Sequence, residues 1–291
     1  MAELIMQEEA STPSTPASGK WVAYFKSDGL YIKDDAGNEL GPIGNSGKGY
    51  LRENSAQLLY VGAQAYSVLP GSADVNGTLL TWAADIARTS LTLTADTLYN
   101  VYLYSNSGTP AVEESTTAPV WDSALNYYKK TGDATRRWIG FLNASATNTI
   151  RKFVNISVGG RVSETIYVDG SVTGKSAVNA GSGSSSWTSF SLATLVPLTA
   201  THFYAISRLT GTSANDDAAA GISPIDLGSG IVGSLAPYVV RGDNDVAGAT
   251  IFFGTAWLSI YTAQTAYYRI YHVVGTGSTL TLQVHGARFI R

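Results

Sequence analysis

The sequence contains no cysteine. That excludes disulfides, thiolate metal sites and cysteine nucleophiles. Charge is scarce as well. Only 14% of residues are Asp, Glu, Lys or Arg, against roughly 25% in ordinary soluble domains. The formal net charge is −3, so there is no basic stripe of the kind nucleic-acid binding requires. The one basic pair, Arg136-Arg137, would send its side chains to opposite faces of a strand and reads as a solvated rim. No apolar run reaches the roughly 18–20 residues of a membrane span. The opening MAELIMQEEASTP has acidic residues and no apolar segment, unlike a secretion signal. A soluble protein is expected, with no nucleic-acid partner and no membrane insertion.

Catalytic signatures are equally thin. His202, His272 and His285 form no H-x-x-x-H or H-E-x-x-H pair. His272 and His285 are expected on neighbouring terminal strands. Residues 181–185, GSGSS, miss the G-x-S-x-G nucleophile pattern. Residues 44–49, GNSGKG, miss the phosphate-loop pattern because Gly49 follows Lys48. Glycan cleavage would need two carboxylates facing each other across a sugar bond. The acid groups here are Glu113-Glu114, Asp216-Asp217 and Asp243-Asn244-Asp245, all read as polar turns. Asp243 and Asp245 have the spacing of a calcium loop without its later glutamate, which leaves a weak cation site as the lesser reading. The expectation is a protein that is not an enzyme, with no catalytic residues, cofactor or metal.

The sequence is rich in strand signals. It has 30 glycines and 17 tyrosines among long Ser/Thr runs, which suits many short strands and tight turns. Leu91 and Leu93 alternate with Thr92 and Thr94. Beyond Ala95-Asp96, Tyr99, Val101 and Leu103 share one face of a strand while Tyr102 and Tyr104 share the other. Further strands are expected over 138–142, 150–158, 165–168, 187–195 and 267–274. In the last strand Leu280, Leu282 and Val284 should point inward, with Thr281, Gln283 and His285 outward. Residues 79–88 fit a short helix or, almost as well, an alternating strand, and 213–220 could hold a helical turn. Leu93-Thr94-Ala95 and Leu198-Thr199-Ala200 precede similar strands, a hint of internal duplication.

The fold expected is all-β: a short N-terminal anchoring hairpin followed by two β-sandwich (jelly-roll-like) domains. The divisions are an extended arm and hairpin (1–45), a first sandwich (46–158) and a second (159–291), hinged at Ser157–Arg161. With both faces of some strands aromatic, Tyr102, Tyr104, Tyr267 and Tyr271 become candidates for subunit contact, ahead of glycan contact.

Residues 11–39, STPSTPASGKWVAYFKSDGLYIKDDAGNE, resemble a short module near the N-termini of many bacteriophage virion proteins, chiefly tail fibres and related appendages. The marks are Thr15-Pro16, Gly19, the apolar run Trp21 to Phe25, Lys26-Ser27-Asp28-Gly29, Leu30-Tyr31-Ile32-Lys33 and Asp34 to Gly37. Tyr99 to Tyr104, Ser115 to Pro119 and Thr131 to Arg136 resemble a second domain of such proteins. The resemblance implies a multi-copy virion component, expected as a homotrimer, assembled in bacterial cytoplasm. Trp21, Tyr24, Phe25, Leu30 and Tyr31 would anchor it to other virion proteins of tail or capsid. The outer domain would meet the host surface, with a surface glycan as one candidate partner. A tail fibre is the first expectation and a head fibre or capsid decoration protein the second. A glycan-degrading tailspike or a free carbohydrate-binding module is the rival from another class. The Pro-rich lead is expected to reach along a neighbouring subunit.

Overall fold

The computed structural model describes residues 12–20, 22–26, 29–43, 56–159, 162–168, 175–181, 186–210, 216–228, 238–244, 251–261, 264–274 and 279–290. Every regular element among them is a strand. The all-β class expected from the sequence is what the chain adopts.

The N-terminal piece is a three-stranded meander of β1 (Val22–Lys26), β2 (Gly29–Lys33) and β3 (Glu39–Ile43). The first two strands form the expected hairpin, and the third was not foreseen. Tyr24 pairs with Tyr31 across it, and their buried rings stack at 5.7 Å. Asp34 builds the β2–β3 turn by accepting bonds from Ala36 N, Asn38 N and the Asn38 side chain. Those bonds hold the Asp34 carboxyl below the usual carboxylate range, against a smaller opposing effect of burial. The Pro-rich lead bonds its own sheet. Lys33 Nζ donates to Pro13 O at 2.9 Å, and Gly19 N donates to the Asp35 carboxylate at 2.6 Å. These bonds fold the lead back along its own turn.

The first half continues with β4 (Leu58–Gly62), β5 (Ala65–Val68), β6 (Gly71–Val75), β7 (Thr78–Trp82), β8 (Ile86–Arg88), β9 (Leu98–Asn106), β10 (Thr109–Ser115), β11 (Pro119–Asp122), β12 (Tyr127–Lys130) and β13 (Asp133–Asn143). A five-stranded sheet, ordered β10-β9-β13-β12-β11, packs against the smaller β4-β5-β8 and β6-β7 sheets. The helix considered for 79–88 is instead β7 and β8. Leu80 and Trp82 are buried while Leu79 and Thr81 are exposed, so the period is two. Asn76-Gly77 and Ser107-Gly108 close two-residue hairpins, with positive φ at both positions of each. Leu91 and Leu93 are buried, but their segment joins no ladder.

The second half holds β14 (Phe153–Gly159), β15 (Val162–Tyr167), β16 (Lys175–Gly181), β17 (Thr188–Ser191), β18 (Ala200–Thr210), β19 (Asp216–Ser223), β20 (Tyr238–Asn244), β21 (Ile251–Ser259), β22 (Thr265–Val274) and β23 (Thr279–Ile290). The turn considered for 213–220 is strand β19 wherever it is described. Sheet order β16-β23-β18-β21 faces order β17-β22-β19-β20. Only β19 to β20 stays within one sheet, and every other step between β16 and β23 crosses over. This is an eight-stranded jelly roll. The five-stranded first-half sheet has a different order, so the repeated Leu-Thr-Ala stretches do not mark two copies of one fold. β14 and β15 form a hairpin that extends the first of these sheets, and residue 158, the end of the expected first domain, lies within β14.

β23 explains how this sheet seals. Leu280, Leu282 and Val284 point inward, as expected, and then the phase changes to Ala287 and Phe289. Pairing with β18 skips His285, leaving one extra residue, a bulge. At the same place the edge partner changes from β16 to β15. Gly286 sits there because a Cβ would lie 2.3 Å from Thr165 O.

Gly286→Ala must therefore move backbone. The expected cost is about 3 kcal/mol, or a fall in Tm of about 6–12 °C. Gly62→Ala, where a Cβ meets nothing within 4 Å, should shift Tm by less than about 2 °C. Thermal unfolding followed by circular dichroism distinguishes the two.

Candidate functional site

Two loops meet at one end of the jelly roll. Residues 224–228 leave β19, where Ser223 Oγ accepts from Ile225 N and Asp226 Oδ1 accepts from Gly228 N. Ile260 and Tyr261 follow β21, and Gln264 precedes β22. Ile260 N donates to Thr201 O at 2.9 Å, and Gln264 O accepts from Leu192 N at 2.7 Å. The Gln264 side chain also donates to Val196 O.

Between the loops lies an open cleft of about 540 Å³. Pro224, Ile225, Leu227, Trp257 and Tyr261 form its apolar surface, and Ser223 and Ser259 supply hydroxyls. Tyr261 is 74% exposed and Ile225 47%. Trp257 is fixed from the side by Tyr204, with ring centres 5.2 Å apart. The Arg288 guanidinium lies 5.2 Å from the Trp257 ring centre and is itself bound to Glu164 at 2.6 Å. His202 sits nearby with Nδ1 3.0 Å from Thr201 Oγ1. Burial, and then the Arg288 charge, push its imidazole below the ordinary value, with Glu164 opposing.

The residues expected from the sequence are distributed differently. Trp21 lies outside the described residues, as do the side chains of Phe25 and Leu30. Tyr24 and Tyr31 are buried against each other. Tyr102 does not serve as a surface contact, because both faces of β9 are covered. It is fully buried, and its hydroxyl donates to Thr117 O at 2.7 Å. Burial, aided by Glu113, raises its pKa well above the ordinary phenol value. Tyr104 lies half-buried under the Arg136 guanidinium, 3.9 Å from ring centre. Tyr267 packs against Trp187 and Ala219, a cluster that also includes Leu227 of the cleft. Tyr271 is 38% exposed on the same face of β22. Trp257 and Tyr261 were missed. The alternation of TAWLSIYT marks a strand, but nothing in it singles out the two rings that border a cleft.

The acidic pairs are not turns. Glu113 and Glu114 are neighbours in β10 and point to opposite faces. Glu114 accepts from the buried Tyr66 hydroxyl and pairs with Arg88 at 2.7 Å. Glu113 pairs with Lys130 at 2.8 Å and Arg136 at 3.2 Å. Asp217 stands opposite Asp243 in the β19–β20 ladder, and Asp245 lies outside the described residues. His272 and His285 fall in opposite sheets, not on neighbouring strands.

The ion pairs give a pH dependence of known sign. Burial opposes ionisation of Glu113, but Lys130 and Arg136 overcome it and hold its carboxyl below the ordinary 4.5. A bond from Lys129 lowers Asp122, and one from Thr135 lowers Asp133. The unfolded chain therefore binds more protons as these groups titrate. Their stabilisation is present above the ordinary carboxylate range and is lost as pH falls through the folded values. Tm should drop between about pH 5 and pH 3, and Glu113→Gln should make that slope shallower.

No protein-family model matches this sequence, and no curated protein matches it. Among solved structures, one named "Major Tropism Determinant I1 Variant" aligns over 51% of this chain at 22% identity, with a TM-score of 0.29. The aligned part covers 43% of that protein, less than half its length.

Proposed function

We propose that this chain is a non-enzymatic structural component of a bacteriophage particle. It is a multimeric tail fibre or tail-attached appendage, anchored near its N-terminus and presenting the jelly roll to the host surface. The observation that carries this reading is the small sheet β1–β3, which holds the segment resembling phage virion modules. Its three strands have five residues each and, among the described residues, pair with one another and with no other strand. A sheet of that size is marginal alone in water. Its apolar residues gain partners when copies assemble, or when the sheet lies on another virion protein.

The non-enzymatic part of the reading is supported by how the acids are used. Glu113, Glu114 and Glu164 are each committed to an arginine or lysine. Such pairs fix strands in place. A glycosidase needs one carboxyl kept protonated and a second facing it across the sugar.

Two measurements test the proposal. Sedimentation of the intact chain at micromolar concentration should give a multimer, a trimer being expected, and a monomer overturns that. Immunogold labelling of intact particles with antibody against residues 160–291 should mark the tail. Label over the head would instead make this a head fibre or capsid decoration protein. Particles without label would remove it from the virion.

A further inference from the structure

We propose that the cleft between the β19 and β21 loops binds an uncharged pyranose sugar, with Tyr261 as the stacking platform. This rests on the reading that the jelly roll faces the host surface, and it names the ligand class for that surface. Four features of the cleft support it.

The first is charge. None of the described residues lining the cleft is ionised at neutral pH. Phosphates, uronic acids and acidic peptides are held by Arg or Lys in charge-assisted bonds, and no described lining residue is either. Arg288 is close to Trp257, but its guanidinium is bound to Glu164. Asp226, in the loop itself, engages Gly228 N.

The second is the mixture of surfaces. A pyranose ring has an apolar face of axial C–H groups and a rim of hydroxyls. Tyr261, Trp257 and Ile225 match the face, and the Ser259 hydroxyl and the Tyr261 phenol can bond the rim. Aromatic residues with one polar end suit such a half-wet contact. A wholly apolar ligand would favour a closed cavity, whereas this cleft leaves Tyr261 74% exposed.

The third is size. A volume of about 540 Å³ lies within the roughly 300–1,000 Å³ of small-ligand sites. The open side would let a longer glycan run out into solvent.

The fourth is rigidity. Ile260, next to Tyr261, is tied to Thr201, Gln264 is tied to Leu192 and Val196, and Trp257 is braced by Tyr204. Fixing these neighbours in advance lowers part of the ordering cost of binding.

The test is saturation-transfer NMR and calorimetric titration of the full chain. The probes are the methyl glycosides of glucose, galactose, mannose and N-acetylglucosamine, with trigalacturonate as the acidic comparison. At least one neutral glycoside should bind with a dissociation constant on the order of 1 mM, and Tyr261→Ala should weaken it about tenfold. Trp121→Ala, an exposed ring on β11 outside the cleft, should leave binding unchanged. Tyr261 is exposed enough that its loss should not disturb folding, which circular dichroism checks. Trp257→Phe, which keeps a ring, should bind more weakly than wild type but better than Tyr261→Ala. The proposal is overturned if no neutral glycoside binds, if trigalacturonate binds as well, or if Tyr261→Ala has no effect. A change in sedimentation on Tyr261→Ala would make the cleft a subunit interface, which also overturns it. None of these results alters the labelling position on particles, so failure of the cleft and failure of the virion reading are separate.

Discussion

The two halves of the chain are held in register by an aromatic junction. Trp138 and Phe141 on β13 both meet Phe289 near the end of β23, at 5.1 and 5.4 Å between ring centres. Phe141 also meets Tyr167 on β15. Trp138, Phe141 and Phe289 are fully buried. At about 150–250 Å² of surface each, their burial contributes roughly 4–6 kcal/mol per ring. Two residues three apart in a regular strand face opposite ways. Trp138 and Phe141 share a side because β13 shifts register between Trp138 and Gly140, so Ile139 is the extra residue of a bulge. The bulge in β23 at His285 does the matching work, turning Phe289 inward after Val284.

That junction makes the core continuous from Ala56 to Phe289. It also fixes what lies around it. Asn143 donates to Leu195 O across the junction, and Gln57 donates to Asn155 O. With the jelly roll seated in this way, the loops after β19 and β21 project at one end. Strands of opposite sheets finish side by side there, and their departing loops enclose the aromatic cleft. The crossover topology creates it, since a simple hairpin stack would put consecutive loops next to each other.

The scarcity of charge has a structural counterpart. Several described acids of the first half face a specific cation: Glu114 with Arg88, Glu113 with Lys130 and Arg136, Asp122 with Lys129. Paired charges of this kind define strand neighbours more than they add stability, because desolvation offsets much of the Coulomb attraction.

The sequence by itself determined the class of the fold and the inward faces of its strands. Leu280, Leu282 and Val284 alternate because a strand repeats every two residues. These are local properties, fixed by the residues concerned. Legibility ended where non-local contacts decide. The period of LLTWAADIAR admitted a helix until Leu80 and Trp82 found a core. Glu113 and Glu114 resembled a turn until their cations arrived from strands 17 to 26 residues away. Tyr102 could not be told from a surface ring before β10 and β13 covered it, and Tyr261 could not be placed in a cleft before the segments after β19 and β21 met. Side-chain periodicity records which way a residue points. What it points at is set by how distant strands cross, and that is decided only when the two sheets close.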